Sequence, residues 1–290
     1  MKKDTVIFKI FFSISGILSV VIAHTVFRVP LEAVLYTLIA FISFLILIKL
    51  WRPLYTANII RNILPILNEQ CDPYIFLEKS TALLAKPFLK NTNEYSFVLL
   101  NIAVGYFAQG NVNKAVEIAK EISEDEIEKN HYLKIVYLYN MASFYISEEH
   151  WNTAEIFVNR LQNYTELLKN SPVTKSGKNI ALYIPEKKQS EYFPVKNIHE
   201  IETMLEELNV LLGVKNKNYS EAIELYEKKF NRNDNKYIKA YCKYYQAIWY
   251  EEIGDIENMK NSLAYTAENG NKLHIAVTAR EILKEYHDIL

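Results

Sequence analysis

The sequence predicts an all-α chain: two transmembrane helices followed by an α-solenoid of helical hairpins. Three observations lead there. Glycine and proline are scarce, 7 and 8 in 290 residues, so helix breakers are few. Two long apolar runs stand near the start, at 10–27 and 33–48. Beyond them, small and apolar residues recur at helical spacing in paired segments.

The run at 10–27 carries no charged residue, and its polar interruptions are Ser13, Ser15, Ser19, His24 and Thr25. The run at 33–48 is extended by Leu50 and Trp51 past Lys49, which can snorkel. Each approaches the ~20 residues needed to cross a bilayer. The link containing Pro30 is short, so the pair reads as an antiparallel hairpin over 1–52. A cleavable signal peptide is the competing reading of the first run, with Val21-Ile22-Ala23 as a tolerable cleavage site. A second apolar run following almost at once argues against it. Lys2, Lys3 and Lys9 precede the first run, Lys49, Arg52 and Arg61 follow the second, and only Arg28 lies between. Positive residues favour the cytoplasmic side. The expectation is a multi-pass protein of the cell membrane, with its N-terminus and everything after 52 cytoplasmic.

The segment 53–93 reads as a helical connector and cap. Pro53 marks the expected exit from the membrane, and Pro65 a kink or stop in an amphipathic helix over 55–67. Asp72-Pro73 is a helix start, with an acceptor at the cap and proline in the first helical position. The helix over 73–84 is expected to cover the first face of an array that fills 94–290.

The array begins at 99–122. Leu99, Ala103 and Tyr106 share a face of one helix, and Ala115 and Ala119 share a face of the next. Gly110 sits between, where a left-handed residue ends the first helix and lets the chain turn. The same offsets recur 39 residues later at Leu138, Ala142, Tyr145, Glu149, Ala154 and Val158. They recur again at Ala247, Tyr250, Gly254, Met259 and Leu263. A poorer copy runs through Val210, Gly213, Ala222 and Tyr226. The pattern resembles the tetratricopeptide repeat (TPR), a helical hairpin of about 34 residues that stacks into a solenoid. The resemblance implies an interaction scaffold and a degenerate TPR array. A bundle of non-repetitive amphipathic hairpins is the competing architecture. An insertion at about 170–194 interrupts the array, with one apolar island at 180–184 that could pair as a short strand. The amphipathic stretch 272–290 is expected to cap the far end.

Charge and cysteine content exclude several classes. Six of the 33 Lys and Arg, and two of the 34 Asp and Glu, lie before residue 53, leaving the remainder at a formal −5. An acidic domain without a basic stripe does not suit nucleic acid. Cys71 and Cys242 stand far apart without metal-ligand spacing and read as small buried apolar residues.

No catalytic residue, metal ligand set or cofactor site is read. His199-Glu200 opens like a zinc-protease helix, but Thr203 stands where the second histidine belongs. Ser176-Gly177-Lys178 lacks the rest of a phosphate loop, and Glu124-Asp125-Glu126 reads as a solvated turn. The expectation is a protein without enzymatic activity.

A binding surface is the better prospect. The TPR resemblance implies a concave groove lined by first helices, in which asparagines hold the backbone of a bound peptide. Asn101 and Asn140 occupy equivalent places, and one amide can both donate and accept. Val104 and Phe107 would flank the first, and Tyr139 the second, with Leu100 and Ser143 beside them. In the last repeat Tyr241, Tyr244, Tyr245 and Ile248 would line the same side. The expected partners are a protein or peptide and the lipid bilayer. Two functions stay open: a membrane-tethered cytosolic adaptor, or an accessory or assembly subunit of a membrane complex that makes its contacts through the helix pair. Nothing in the sequence specifies an oligomeric state.

Overall fold

The computed structural model describes residues 31–87, 89–90, 93–170 and 198–288. The apolar run at 10–27 and the insertion with its island at 180–184 lie outside the described residues. Two compact units divide the chain after Thr56. The described part of the first is a single helical segment, the beginning of α1 (Leu31–Asn68). Along it Leu35, Tyr36, Ile39, Phe41 and Ile42 are exposed.

The expected membrane hairpin is overturned. Among the described residues no helix is long and apolar enough to cross a membrane. The apolar stretch does not stop at Arg52. It passes through Pro53 as one continuous helix to Asn68, and its last turns bury Ile63, Ile66 and Leu67. Pro65 falls in the final turn, where its carbonyl still accepts from Glu69 N–H at 2.9 Å. The bilayer as a partner, the multi-pass cytoplasmic-side placement and both membrane-based functions depended on the hairpin and fall with it.

The second unit holds the other helices: α2 (Pro73–Leu84), α3 (Asn93–Ala108), α4 (Val112–Lys120), α5 (Glu124–Lys129), α6 (His131–Ser147) and α7 (Trp151–Asn170). After the insertion come α8 (Ile198–Gly213), a 3-10 turn (Val214–Asn216), α9 (Tyr219–Arg232), α10 (Lys236–Glu252), α11 (Ile256–Asn269) and α12 (His274–Asp288). No strand occurs among the described residues. Side-chain caps start several of these helices. Asn111, Asn130, Asn235 and Asp255 each accept from the N–H three residues on, satisfying a donor that has no partner within its helix. Ser123 does the same for α5, so the acidic run from Glu124 is the first turn of a short helix rather than a loop.

Helices pair in sequence, α3 with α4, α6 with α7, α9 with α10 and α10 with α11. Ala103, Ala115, Ala119, Ala142 and Ala154 are wholly buried, and their small side chains let backbones approach. The turns at Gly110 (φ 81°), Glu149 (φ 58°) and Gly254 (φ 78°) are all left-handed. Leu133, Ile135, Leu138, Met141 and Phe144 of α6 form the centre of the largest apolar cluster.

The array does not stay open. At the α11–α12 turn, Asn271 Nδ2 donates to the Gln70 carbonyl at 2.7 Å and Lys272 N–H to the Cys71 carbonyl at 3.2 Å. Lys272 Nζ lies 2.6 Å from Asp72 Oδ2. Leu273 and Ala276 join Cys71, Phe76, Leu89 and Ala240 in one apolar cluster. The last hairpin therefore closes on the first. An open solenoid with a cap at each end is corrected to an all-α bundle. Each terminal hairpin has an apolar face that must be covered, and here the two cover one another.

Candidate functional site

Closure leaves a cavity of about 200 Å³ on the inner side. Phe107 and Ala108 reach it from the end of α3, and Ser147 and Glu148 from the end of α6. Tyr237, Tyr241, Tyr244, Tyr245 and Ile248 enter from α10, and Leu273, His274 and Ile275 from the start of α12. Ala108 and Leu273 are buried, while Gly110, Glu148 and His274 are exposed at its mouth.

The aromatic side is built by α10, whose residues 237, 241, 244, 245 and 248 fall three and four apart on one face. The Tyr241 and Tyr245 rings are 4.5 Å apart at 46°, and Tyr244 meets Tyr245 edge-on at 5.5 Å and 89°. Phe107 approaches Tyr241 at 6.0 Å, joining α3 to α10. Trp249 stands behind, 6.1 Å from Tyr245. Burial pushes the phenols of Tyr237, Tyr241 and Tyr244 above the usual tyrosine value, and that of Tyr245 up to about 12. All four are neutral at physiological pH. One carboxylate, Glu148, and no lysine or arginine lines the cavity.

Gly110 holds the mouth for two reasons. Its φ is 81°, and a Cβ there would stand 2.4 Å from the His274 ring. Gly110→Ala is expected to lower unfolding free energy by about 1–2 kcal/mol from the left-handed backbone alone. His274 is exposed and able to turn aside. A denaturant titration that shows no loss would mean the turn relaxes to another conformation.

The residues singled out in the sequence separate into two groups. Phe107, Tyr244 and Tyr245 come together at the cavity, with Tyr241 and Ile248. Asn101, Asn140, Val104 and Tyr139 do not. Asn101 is half-buried and faces α1 and α2 beside Ile63 and Phe76. Asn140 turns its amide onto the Val136 carbonyl of its own helix at 2.9 Å. Val104 packs between the two largest apolar clusters. Tyr139 belongs to a polar group in which its hydroxyl meets Glu207 of α8 and Lys229 of α9, themselves an ion pair. Glu148, Leu273, His274 and Ile275 were not legible as site residues, because only closure of the chain brings them there.

Among the described residues the positions expected to line a peptide groove do not form one. The cavity of about 200 Å³ suits one ring-sized group rather than a run of extended backbone, so a protein or peptide partner captured there is withdrawn. Among the described residues no three His, Cys, Asp or Glu converge as metal ligands. Cys71 and Cys242 are buried free thiols, pushed by burial up to about 11 and about 12. Comparison with known proteins gives no relative: no family model matches the chain, and neither a curated protein nor a solved structure matches it. The tetratricopeptide resemblance is accordingly set aside, since the hairpins and turns that suggested it are the common geometry of paired helices.

Proposed function

We propose that the chain is a small-molecule-binding protein without catalytic activity, and that its ligand enters the cavity between α3, α6, α10 and α12. The observation that carries this reading is the lining: Phe107 and four tyrosines, the aliphatic Ala108, Val112, Ile248, Leu273 and Ile275, and the polar Ser147, Glu148 and His274. Binding sites for small molecules share that balance of apolar wall and sparse polar contacts. The volume of about 200 Å³ is adequate for one ring, since an engineered apolar cavity of ~150 Å³ in another protein takes up benzene. The carboxylate and the imidazole of the lining, Glu148 and His274, are both exposed, which suits retention of a ligand better than proton transfer by a positioned acid and base.

The test uses benzyl alcohol as a neutral probe and follows saturation transfer from protein to ligand by NMR. Binding in the millimolar range or tighter is expected, accompanied by a change in tryptophan fluorescence from Trp249 behind the tyrosines. Ile248→Trp, which fills the space from α10, should remove binding while the thermal melt stays cooperative. Equal binding to the variant would place the probe elsewhere and refute the assignment.

A further inference from the structure

Asn269-Gly270 closes α11 and is the only Asn-Gly pair in the sequence. A glycine after asparagine leaves its backbone nitrogen unshielded by any side chain, the arrangement most prone to cyclise onto the asparagine amide. Packing demands that glycine. A Cβ at position 270 would stand 2.6 Å from the Ala276 Cβ and 2.8 Å from the Thr266 carbonyl oxygen. The folded turn holds the reacting atoms apart. Asn269 ends a helix, whose backbone turns the next nitrogen away from the asparagine side chain. Gly270 N–H donates to the Thr266 carbonyl at 2.9 Å, and Asn269 Nδ2 to the Tyr265 carbonyl at 2.9 Å. Arg280 fastens both sides of the turn, donating to the Ala267 carbonyl at 2.7 Å and to the Asn271 carbonyl at 2.8 Å. Beyond it, Asn271 and Lys272 dock on residues 70–72. That dock works against its own backbone. Cys71 and Asn271 take φ of 51° and 45°, left-handed values that cost any residue with a side chain.

We infer that Asn269 is a site of spontaneous deamidation, restrained while the α11–α12 turn is docked on the first hairpin and released when it undocks. The Gly270 nitrogen loses its proton to solvent base and attacks Asn269 Cγ. The N–Cγ bond forms, the Cγ–Nδ2 bond breaks, and Nδ2 takes up a proton from water and leaves as ammonia. Water then opens the cyclic imide: cleavage at N–Cγ gives aspartate, and cleavage at the α-carbonyl gives isoaspartate. Either product loses the donor to Tyr265 and sets a carboxylate at the negative end of α11. Isoaspartate also carries the chain through an extra methylene, which shifts Asn271 out of register with Gln70. Both changes oppose redocking.

The test follows Asn269 by peptide mass mapping of the full chain held at mildly alkaline pH, folded in buffer and unfolded in urea. Conversion in urea to aspartate and isoaspartate together is expected, with the folded chain at least about tenfold slower. Imide formation is slow beside opening and reclosing, so its rate follows the open population. Asp72→Ala, which weakens the dock, should therefore speed conversion of the folded chain about tenfold, and the milder Asp72→Asn about fivefold. The second variant keeps the test valid if the first fails to fold. Equal rates in buffer and urea would show that the turn restrains nothing. A folded rate untouched by Asp72→Asn would show that undocking is not what releases Asn269, and aspartate without isoaspartate that no imide forms. Each of these results overturns the inference.

Discussion

Replacing Lys229 by methionine is expected to lower the unfolding free energy of the second unit by about 3–4 kcal/mol at neutral pH. The ammonium of Lys229 is the counter-charge of Glu207, whose side chain is only 11% exposed. Tyr139 of α6 lies beside the same pair. Three helices, α6, α8 and α9, are therefore joined through one negative charge. Removing the lysine leaves that charge buried and unpaired, which costs far more than the pair itself contributes. Burial works against the Lys229 ammonium, but Tyr139 and Glu207 more than reverse this and hold it above the ordinary lysine value. The sign follows from that direction. The contribution is fully present below the unfolded lysine value of ~10.4 and is lost only as pH rises through the higher folded value. The cross-check is the double variant Lys229→Met, Glu207→Gln. With no charge left to strand, it should recover to within about 1 kcal/mol of the parent in urea titrations. A single variant as stable as the double one would show that solvent reaches Glu207 freely.

The helical hairpins were legible because they are local. Ala103, Ala115 and Ala119 lie within one turn-and-return of the chain, and their spacing already puts them on facing surfaces. The turn at Glu149 was legible by position even without glycine, and it takes φ 58° all the same. The helix start at Asp72-Pro73 was readable in the same way, since a cap is a property of four consecutive residues. Closure was not readable. Gln70 and Asn271 stand 201 residues apart, and a periodic pattern gives the faces of helices without saying which ends meet. Hydropathy misread α1 for a related reason. An apolar run counts the same whatever follows it, and the helix continues into a core segment that a window ending at Arg52 does not see. Asn101 and Asn140 share a repeat position, which fixes where a Cα lies, but the structure sets Asn101 beside α1 and α2 and turns the Asn140 amide onto the Val136 carbonyl of its own helix.

The second large effect is expected at Asp72, where the first and last hairpins join. Asp72→Ala should lower stability by about 2–3 kcal/mol, combining the loss of a helix cap with that of a charge-assisted hydrogen bond. The carboxylate accepts from Tyr74 N–H at 3.1 Å and Ile75 N–H at 3.2 Å, and pairs with Lys272 at 2.6 Å. Lys272 is 54% exposed, so solvent screening keeps its share toward the lower end. Asp72→Asn separates the contributions. It retains an acceptor for the α2 cap and removes the charge, so a loss of about 1 kcal/mol assigns the remainder to capping. Burial raises the Asp72 pKa, but the Lys272 hydrogen bond and the two backbone N–H groups outweigh it and leave the group below the usual aspartate value. Stability from this site is therefore present above the unfolded value of ~3.9 and lost as pH falls through the lower folded value. The difference between parent and Asp72→Asn should vanish over that acidic interval. The consequence extends to the cavity, because Leu273, His274 and Ile275 follow Lys272 directly and form one wall. Amide exchange across 270–276 should accelerate in Asp72→Ala before the α6 core is affected, and benzyl alcohol affinity should fall with it. If exchange accelerates but affinity holds, the wall is fixed by the apolar contacts of Leu273 and Ala276 rather than by the ion pair.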